Sequence, residues 1–505
     1  MNGRAEAAGG FWGHDPEVPL DLGALTPEAF ESISERLADK SMSALADTLA
    51  KVGNCSHPIR LRGWADTFDS TTGELVESFS SQAQPFGLLF KPCGNRREDA
   101  CPACSRLYAR DTFELISTGL NGGKGVPESV QSNPLLFVTL TAPSFGAVHT
   151  VRGGKPCHPR SKSGPCAHGW ASVCWAKHRE DDAEVGAPLC ADCYDFETSA
   201  IWQWFAPELW RRFTIALRRE LAAELRVPAT KLGTVARLEY AKVAEFQARG
   251  AAHFHALLRL DGPDGQGSTA PAPAAVIEQA MRVAAAAVQV TAPPVDPDDT
   301  ARLLRFGLQV DVRTVRHGTI AGDEVTTEQV AAYLAKYATK SAGFDPRKPR
   351  PHLLQLVRAC RTLAARALAN CEHGCAHAAD DHRGRLCDDC KNSTYGLFGR
   401  WSGMLGFRGH FSTKSRRYSV TLGRLRRARR RFQQWSTEAA RHGRPLDTGD
   451  LEARLMADEG EETTLIVGSW TYQGTGWLCE GDKALADAAA ARAREYAQWK
   501  SGRAA

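Results

Sequence analysis

At 505 residues, with 43% hydrophobic and 24% charged side chains, the chain has the make-up of a soluble globular protein of roughly two to four domains. Its formal net charge of +5 is too small to define a partner, so attraction to an acidic one must come from local clustering. No apolar run approaches the roughly 20 residues that cross a bilayer, and the opening MNGRAEAAGGFWGHDPEV lacks the basic-then-apolar layout of a signal peptide; both features point to the cytoplasm and away from membranes.

Residues 1–105 read as an N-terminal helical region, with LTPEAFESISERLADK as its plainest amphipathic stretch, closing in a cysteine cluster. Residues 106–345 read as one α+β domain around an antiparallel sheet. It opens with the helix SRLYARDTFELISTGLNGG, stopped by Gly-Gly, and the strand PLLFVTLTAPS (134–144), ended by Pro-Ser. A cysteine-rich insert at 151–195 precedes the amphipathic helix SAIWQWFAPELWRRFTIALRRELAAEL (199–225). VARLEYAKVAEFQARGAAHFHALLRLDG (235–262) gives two strands joined by a tight turn at Arg249-Gly250. Residues 262–300, rich in Pro, Ala, Gly and Asp, read as an insert holding one helix. FGLQVDVRTVR (306–316) is a further strand, and TTEQVAAYLAKYATKSAG a helix capped by Thr326 or Thr327 and stopped by Gly343. Residues 346–435 form a Cys/His-rich and basic region, and 436–505 a C-terminal tail.

Fifteen cysteines in a chain of cytosolic character suggest metal ligands rather than disulfides. One group is Cys93, Cys101 and Cys104. A second holds Cys157, Cys166, His168, Cys174, His178, Cys190 and Cys193. The third is Cys371, His373, Cys375, His377, Cys387 and Cys390. Each contains a C-x2-C pair, the short turn that places two thiolates on a tetrahedral Zn2+. Structural zinc is expected, its ligand sets left open, with Cys55, Cys360 and Cys479 read as ordinary thiols. Beyond these groups, TKSRRYS (413–419) supplies Lys414, Arg416 and Arg417, and GRLRRARRRF (423–432) supplies Arg424, Arg426, Arg427, Arg429, Arg430 and Arg431. A block this basic suits a phosphate backbone; its bland alternative is a solvated helix face.

Two motifs carry reaction chemistry. His253-Phe254-His255 on a strand projects both imidazoles to one face, a pairing suited to a divalent cation. Glu245, across the turn, adds the hard oxygen that Mg2+ or Mn2+ prefers, with Glu239 as the fallback. On the later helix Tyr333 and Tyr337 stand four apart on one face, each followed three residues on by a lysine, Lys336 and Lys340. A phenol is a poor nucleophile until a nearby cation stabilises its phenolate.

Taken together, FVTLTAPS (137–144), HFHALLRLD (253–261) and YLAKYATK (333–340) resemble, in this order, the three motifs of rolling-circle replication initiators of the HUH endonuclease superfamily, in their two-tyrosine form. MLGFRGHFSTKSRRYS (404–419) also resembles the plasmid initiators of high-GC actinobacteria. The resemblance implies an HUH domain with a central antiparallel sheet flanked by helices; the cysteine-rich zinc-binding insertions and the helical basic C-terminal region are read from the residues, and the inserts at 151–195 and 262–300 depart from that minimal fold. It implies site-specific nicking and rejoining of single-stranded or supercoiled plasmid origin DNA through a 5′-phosphotyrosyl intermediate, with a 3′-OH left to prime synthesis. His253 and His255 would hold the metal, Tyr337 would cut first and Tyr333 would act in termination. The chain has no G-x-x-x-x-G-K-[ST] P-loop, so a host helicase and polymerase are expected partners. A relaxase would carry its tyrosine ahead of the histidines, and a small transposase would be far shorter. A non-catalytic zinc-containing regulator would explain the cysteines and arginines but not the tyrosines and H-F-H.

Overall fold

In a computed structural model, residues 21–23, 25–160, 164–170, 172–315, 326–339, 350–378, 386–457 and 464–503 are described. The chain forms a mixed α+β protein with antiparallel sheets, divided into two compact units: residues 1–111 with 449–505, and residues 112–448. This division differs from the four consecutive segments expected, because the C-terminal segment belongs to the N-terminal unit. No helix among the described residues is long and apolar enough to cross a membrane.

The larger unit is built on a five-stranded sheet in the order Ser412–Lys414, Arg237–Phe246, Ala252–Asp261, Leu135–Leu140, Val310–Thr314, with every neighbour antiparallel. Alternation along the strands gives its two faces opposite characters. Leu136, Val138 and Leu140 lie beside Leu258, Ala256 and Phe254 on one face and join the main apolar core. The helix Phe196–Glu224 supplies Trp202, Trp204, Phe205, Leu209, Trp210 and Phe213 to that core, and Asp195 caps its start by accepting from the Thr198 N–H at 2.8 Å. The opposite face carries Phe137, Thr139, Glu245, His253 and His255, and it holds the candidate site.

Residues 262–300 are not a peripheral insert. Their helix Ala274–Ala287 sends Ile277, Ala280, Met281 and Ala284 into the same core, at the i, i+3, i+4 spacing of a buried face. Small side chains let it pack closely, which in the sequence reads as low complexity.

At the far end of the His strand, Arg259 is 1% exposed and forks onto Asp261 at 2.9 and 2.8 Å. It also donates to the carbonyls of Gly119 and Tyr418. Asn133 supplies the other donor to Asp261, at 2.8 Å. Arg259→Leu would strand a buried carboxylate, and we expect it to cost about 3–5 kcal/mol. Urea unfolding of the purified chain reads this directly, and a loss below about 1 kcal/mol would contradict it.

In the smaller unit, Ile59–Asp69 pairs with Thr464–Thr475, Leu75–Ser80 and Leu89–Lys91, all antiparallel. The helical character expected for the N-terminal region holds for Pro27–Ala38 and Met42–Lys51 and fails from residue 59 onward. Arg36 forks onto Asp482 at 3.0 and 2.8 Å, joining Pro27–Ala38 to the helix Glu480–Arg503.

Candidate active site and metal centres

The turn at Arg249-Gly250 sets the register on which the site depends. Gly250 takes φ of 80°, a left-handed conformation open to glycine, and its N–H closes onto the Gln247 carbonyl at 2.8 Å. Glu245 then pairs directly with His253, and Val243 with His255. One carboxylate oxygen, Glu245 Oε2, lies 2.9 Å from His253 Nε2 and 3.0 Å from His255 Nε2. These three donors fall within 4.8 Å of one another, a set of two imidazoles and one carboxylate that fits a divalent cation with positions left open for a substrate. Glu239, the fallback, is not part of it: it accepts from the Ser415 hydroxyl at 2.5 Å.

Neighbouring side chains fix the triad. His255 is 4% exposed, its Nδ1 is 3.0 Å from Thr139 Oγ1, and Phe137 stacks on its ring at 5.6 Å. Thr139 thus orients the imidazole from the side away from the would-be metal, a placement that governs ligand geometry. Burial would raise the Glu245 carboxyl, yet the hydrogen bonds from His253 and His255 hold it at about 2, so it stays ionised. Burial lowers the His255 pKa, which keeps the imidazole neutral and able to ligate.

The helix Thr327–Thr339 brings the tyrosines to this face. The Thr326 hydroxyl caps its start, accepting from the Gln329 N–H at 3.2 Å, and Val330, Ala331, Leu334 and Ala338 bury the opposite side. Tyr333 and Tyr337 stand with ring centroids 4.4 Å apart. The Tyr333 hydroxyl lies 3.2 Å from His255 Nε2 and 3.5 Å from Glu245 Oε2. Tyr337 is further out, its ring 6.2 Å from that of His255. Burial first, and then the Glu245 charge, raise both phenol pKa values. Lys336 is exposed, with its ammonium 5.9 Å from the Tyr337 ring. Lys340 and Gly343 lie outside the described residues.

Among the described residues, thirteen cysteines and three histidines sort into four sets of four. Cys55, Cys93, Cys101 and Cys104 form one; His149, Cys157, Cys174 and His178 a second; Cys166, His168, Cys190 and Cys193 a third; Cys371, Cys375, Cys387 and Cys390 the fourth. Each set has its donor atoms within 4.8 Å, so each is able to bind a tetrahedral zinc. Two expectations are corrected here. Cys55 is not an ordinary thiol: its Sγ is 3.8 Å from that of Cys101, and it completes the first set. His149 lies just ahead of the expected insert yet completes the second, with Nδ1 3.0 Å from His178 Nε2. His373 is exposed and stays outside the fourth set, and the His377 side chain lies outside the description. The Cys375 backbone N–H, with further hydrogen bonds, holds the Cys371 thiol down at about 6, favouring the thiolate that zinc requires.

The arginine run forms the helix Leu422–Arg441, capped by Thr421 and burying only Leu425. Arg426 and Arg430 are exposed, as are Arg416 and Arg417, while Arg424, Arg427, Arg429 and Arg431 are half-buried. The Lys414 ammonium, one of the expected DNA contacts, donates to the Ser415, Arg416 and Ser419 carbonyls at 3.3, 3.4 and 3.0 Å. Changing Arg426, Arg427, Arg429 and Arg430 to glutamine is expected to flatten the slope of log affinity against log salt by up to roughly 3, at about 0.7 per lost phosphate contact on a single strand. A salt titration by fluorescence anisotropy measures it; an unchanged slope would remove this helix from the interface.

Against known proteins, the profile of a family described as RepSA, replication initiator protein, pSAM2, matches residues 41–491. The chain is 39% identical over 442 residues to a replication initiator protein of Streptomyces ambofaciens, an alignment covering 85% of this chain and 86% of that one. No solved structure matches it.

Proposed function

The chain belongs to the RepSA family of replication initiators, and we propose that it starts plasmid replication by cutting, holding and rejoining one strand of the origin. The observation that carries this reading is the Tyr333 hydroxyl at 3.2 Å from His255 Nε2, beside the Glu245–His253–His255 cluster. The HUH resemblance implies a tyrosine beside such a cluster, although it puts Tyr337 first.

In this reading the phenol oxygen of one tyrosine bonds to the scissile phosphorus as the bond to the 3′ oxygen breaks. The phenol proton ends, by way of solvent, on the released 3′-OH, and the 5′ end stays joined to the protein. A Mg2+ or Mn2+ ion held by Glu245, His253 and His255 would draw charge from a phosphate oxygen and offset the cost of the phenolate. That help matters because burial and the Glu245 carboxylate both work against phenolate formation. The ester keeps the bond energy, so a 3′-OH returning to the site can reverse the step.

The distances favour Tyr333 for the first attack, the reverse of the order implied by the resemblance. Tyr337, one turn away with its ring against that of Tyr333, is placed to take the second cut while the first end is still attached. Lys336 lies beside Tyr337 and is suited to grip an adjacent phosphate. Zinc would be structural, in the four Cys/His sets. A host helicase and polymerase would extend the primed strand, in the cytoplasm.

Incubation with single-stranded DNA from the region flanking the gene, plus Mn2+, is expected to give a protein–DNA species that survives SDS. It should be absent from the Tyr333→Phe, Tyr337→Phe double variant, which still binds DNA. A double variant that cuts as well as the parent would exclude both tyrosines.

A further inference from the structure

Just past the ends of the strands Leu135–Leu140 and Arg237–Phe246, which carry Thr139 and Glu245, stand Thr141 and Gln247. Those two side chains border a cavity of about 470 Å3 whose walls also include Arg249, Arg305, Phe306 and Leu308. Its size falls among small-molecule sites, roughly 300–1,000 Å3.

The rim is built rather than loose. The Gly307 N–H donates to the Thr141 carbonyl at 2.8 Å, and the Thr141 hydroxyl donates to the Gln309 carbonyl at 2.9 Å. A Cβ on Gly307 would sit 2.8 Å from the Ala142 carbonyl oxygen, so the loop lies tight against the strand end.

The chemistry of the walls points to one ligand class. The Arg249 guanidinium, half-buried, donates to Gln247 Oε1 at 2.9 Å and to the Pro143 and Ala142 carbonyls at 2.8 and 3.0 Å, with no carboxylate among these partners. An anion entering the cavity would supply the charge that its neighbours do not. Arg305, exposed at the mouth, adds a second cation. Holding Gln247 by its oxygen turns the amide NH2 into the end offered to a ligand. Leu308 stands fully in solvent at the rim, an apolar surface with nothing yet against it.

We propose that this cavity receives one nucleotide of the strand next to the scissile phosphate, its phosphate drawn by Arg249 and Arg305, its base laid on Leu308 and read by the Gln247 amide. This rests on the strand-cutting reading, and it makes the cavity a source of sequence preference one step from the reacting phosphate.

The test pairs DNA and protein changes. Oligonucleotides from the DNA flanking the gene, each with one abasic position, are scored separately for binding by anisotropy and for cleavage. The parent protein is expected to lose about tenfold in affinity when one particular position is abasic. Leu308→Gly should bind the intact strand about tenfold more weakly and be indifferent to that abasic site. Gln247→Ala should relax base preference at the same position only. Loss spread evenly over positions, or variants that keep the parent's sensitivity, would overturn the proposal. Position-specific binding without any cleavage would overturn the strand-cutting reading and leave the nucleotide site standing.

Discussion

Replacing His255 with alanine is expected to slow strand cleavage about a thousandfold or more while DNA binding stays within a few-fold. The triad would offer a divalent cation three ligands, and His255 is the one whose Nε2 also faces the Tyr333 hydroxyl. Losing several kcal/mol of charge stabilisation at the phosphate corresponds to this fall, at 1.36 kcal/mol per factor of ten. Thr139→Val tests the same account more gently, because it removes the partner of His255 Nδ1 and leaves every ligand in place. Changes of that kind lower metal affinity or activity about 10- to 100-fold. Single-turnover cleavage against Mn2+ concentration, with Mn2+ binding followed by electron paramagnetic resonance, separates lost affinity from lost chemistry. His255→Ala cutting at the parent rate would remove the cluster from the reaction.

The second large effect concerns zinc. Metal analysis of the purified chain is expected to find four zinc ions per molecule, one for each set of four ligands. Cys55→Ser should lower that count by one and unfold the surrounding core, where Cys55, Cys101 and Cys104 lie buried among Leu45, Leu49, Val52, Phe90 and Trp477. A structural zinc supplies an apparent 10–16 kcal/mol, as much as the whole stability of an ordinary domain, about 5–15 kcal/mol. Cys360→Ser is the control: Cys360 is buried alone on the helix Pro351–Leu368, outside every set, and its loss should leave the count unchanged. A full count in Cys55→Ser would return Cys55 to the ordinary thiols.

What the sequence made legible followed from short-range periodicity. H-F-H two apart on a strand and two tyrosines four apart on a helix are local patterns, and the backbone geometry that unites each pair is fixed by the element itself. The Arg249-Gly250 turn likewise placed Glu245 opposite His253. Long-range pairings left weaker marks. Cys55 has no C-x2-C neighbour and meets its partners only when the chain returns at Cys93. Ile59–Asp69 pairs with Thr464–Thr475, some four hundred residues away, which no local pattern announces. A signal for the local hairpin was present: Asp69 accepts from the Thr71 and Thr72 N–H groups in the turn leading to Leu75–Ser80. The helix Ala274–Ala287 was expected, but its place in the core was hidden by its composition, since alanine-rich stretches flanked by proline look peripheral until Ile277 and Met281 are seen in the core.

The most direct measurement is peptide mass spectrometry of the covalent protein–DNA product. Trypsin cuts after Lys336, so Tyr333 and Tyr337 fall in different peptides. A nucleotide adduct on the Tyr333 peptide, moving to Tyr337 in Tyr333→Phe and vanishing in His255→Ala, is the predicted result. Tight DNA binding with no adduct and no cleavage on any strand would contradict it, and would leave a zinc-containing DNA-binding protein without catalysis.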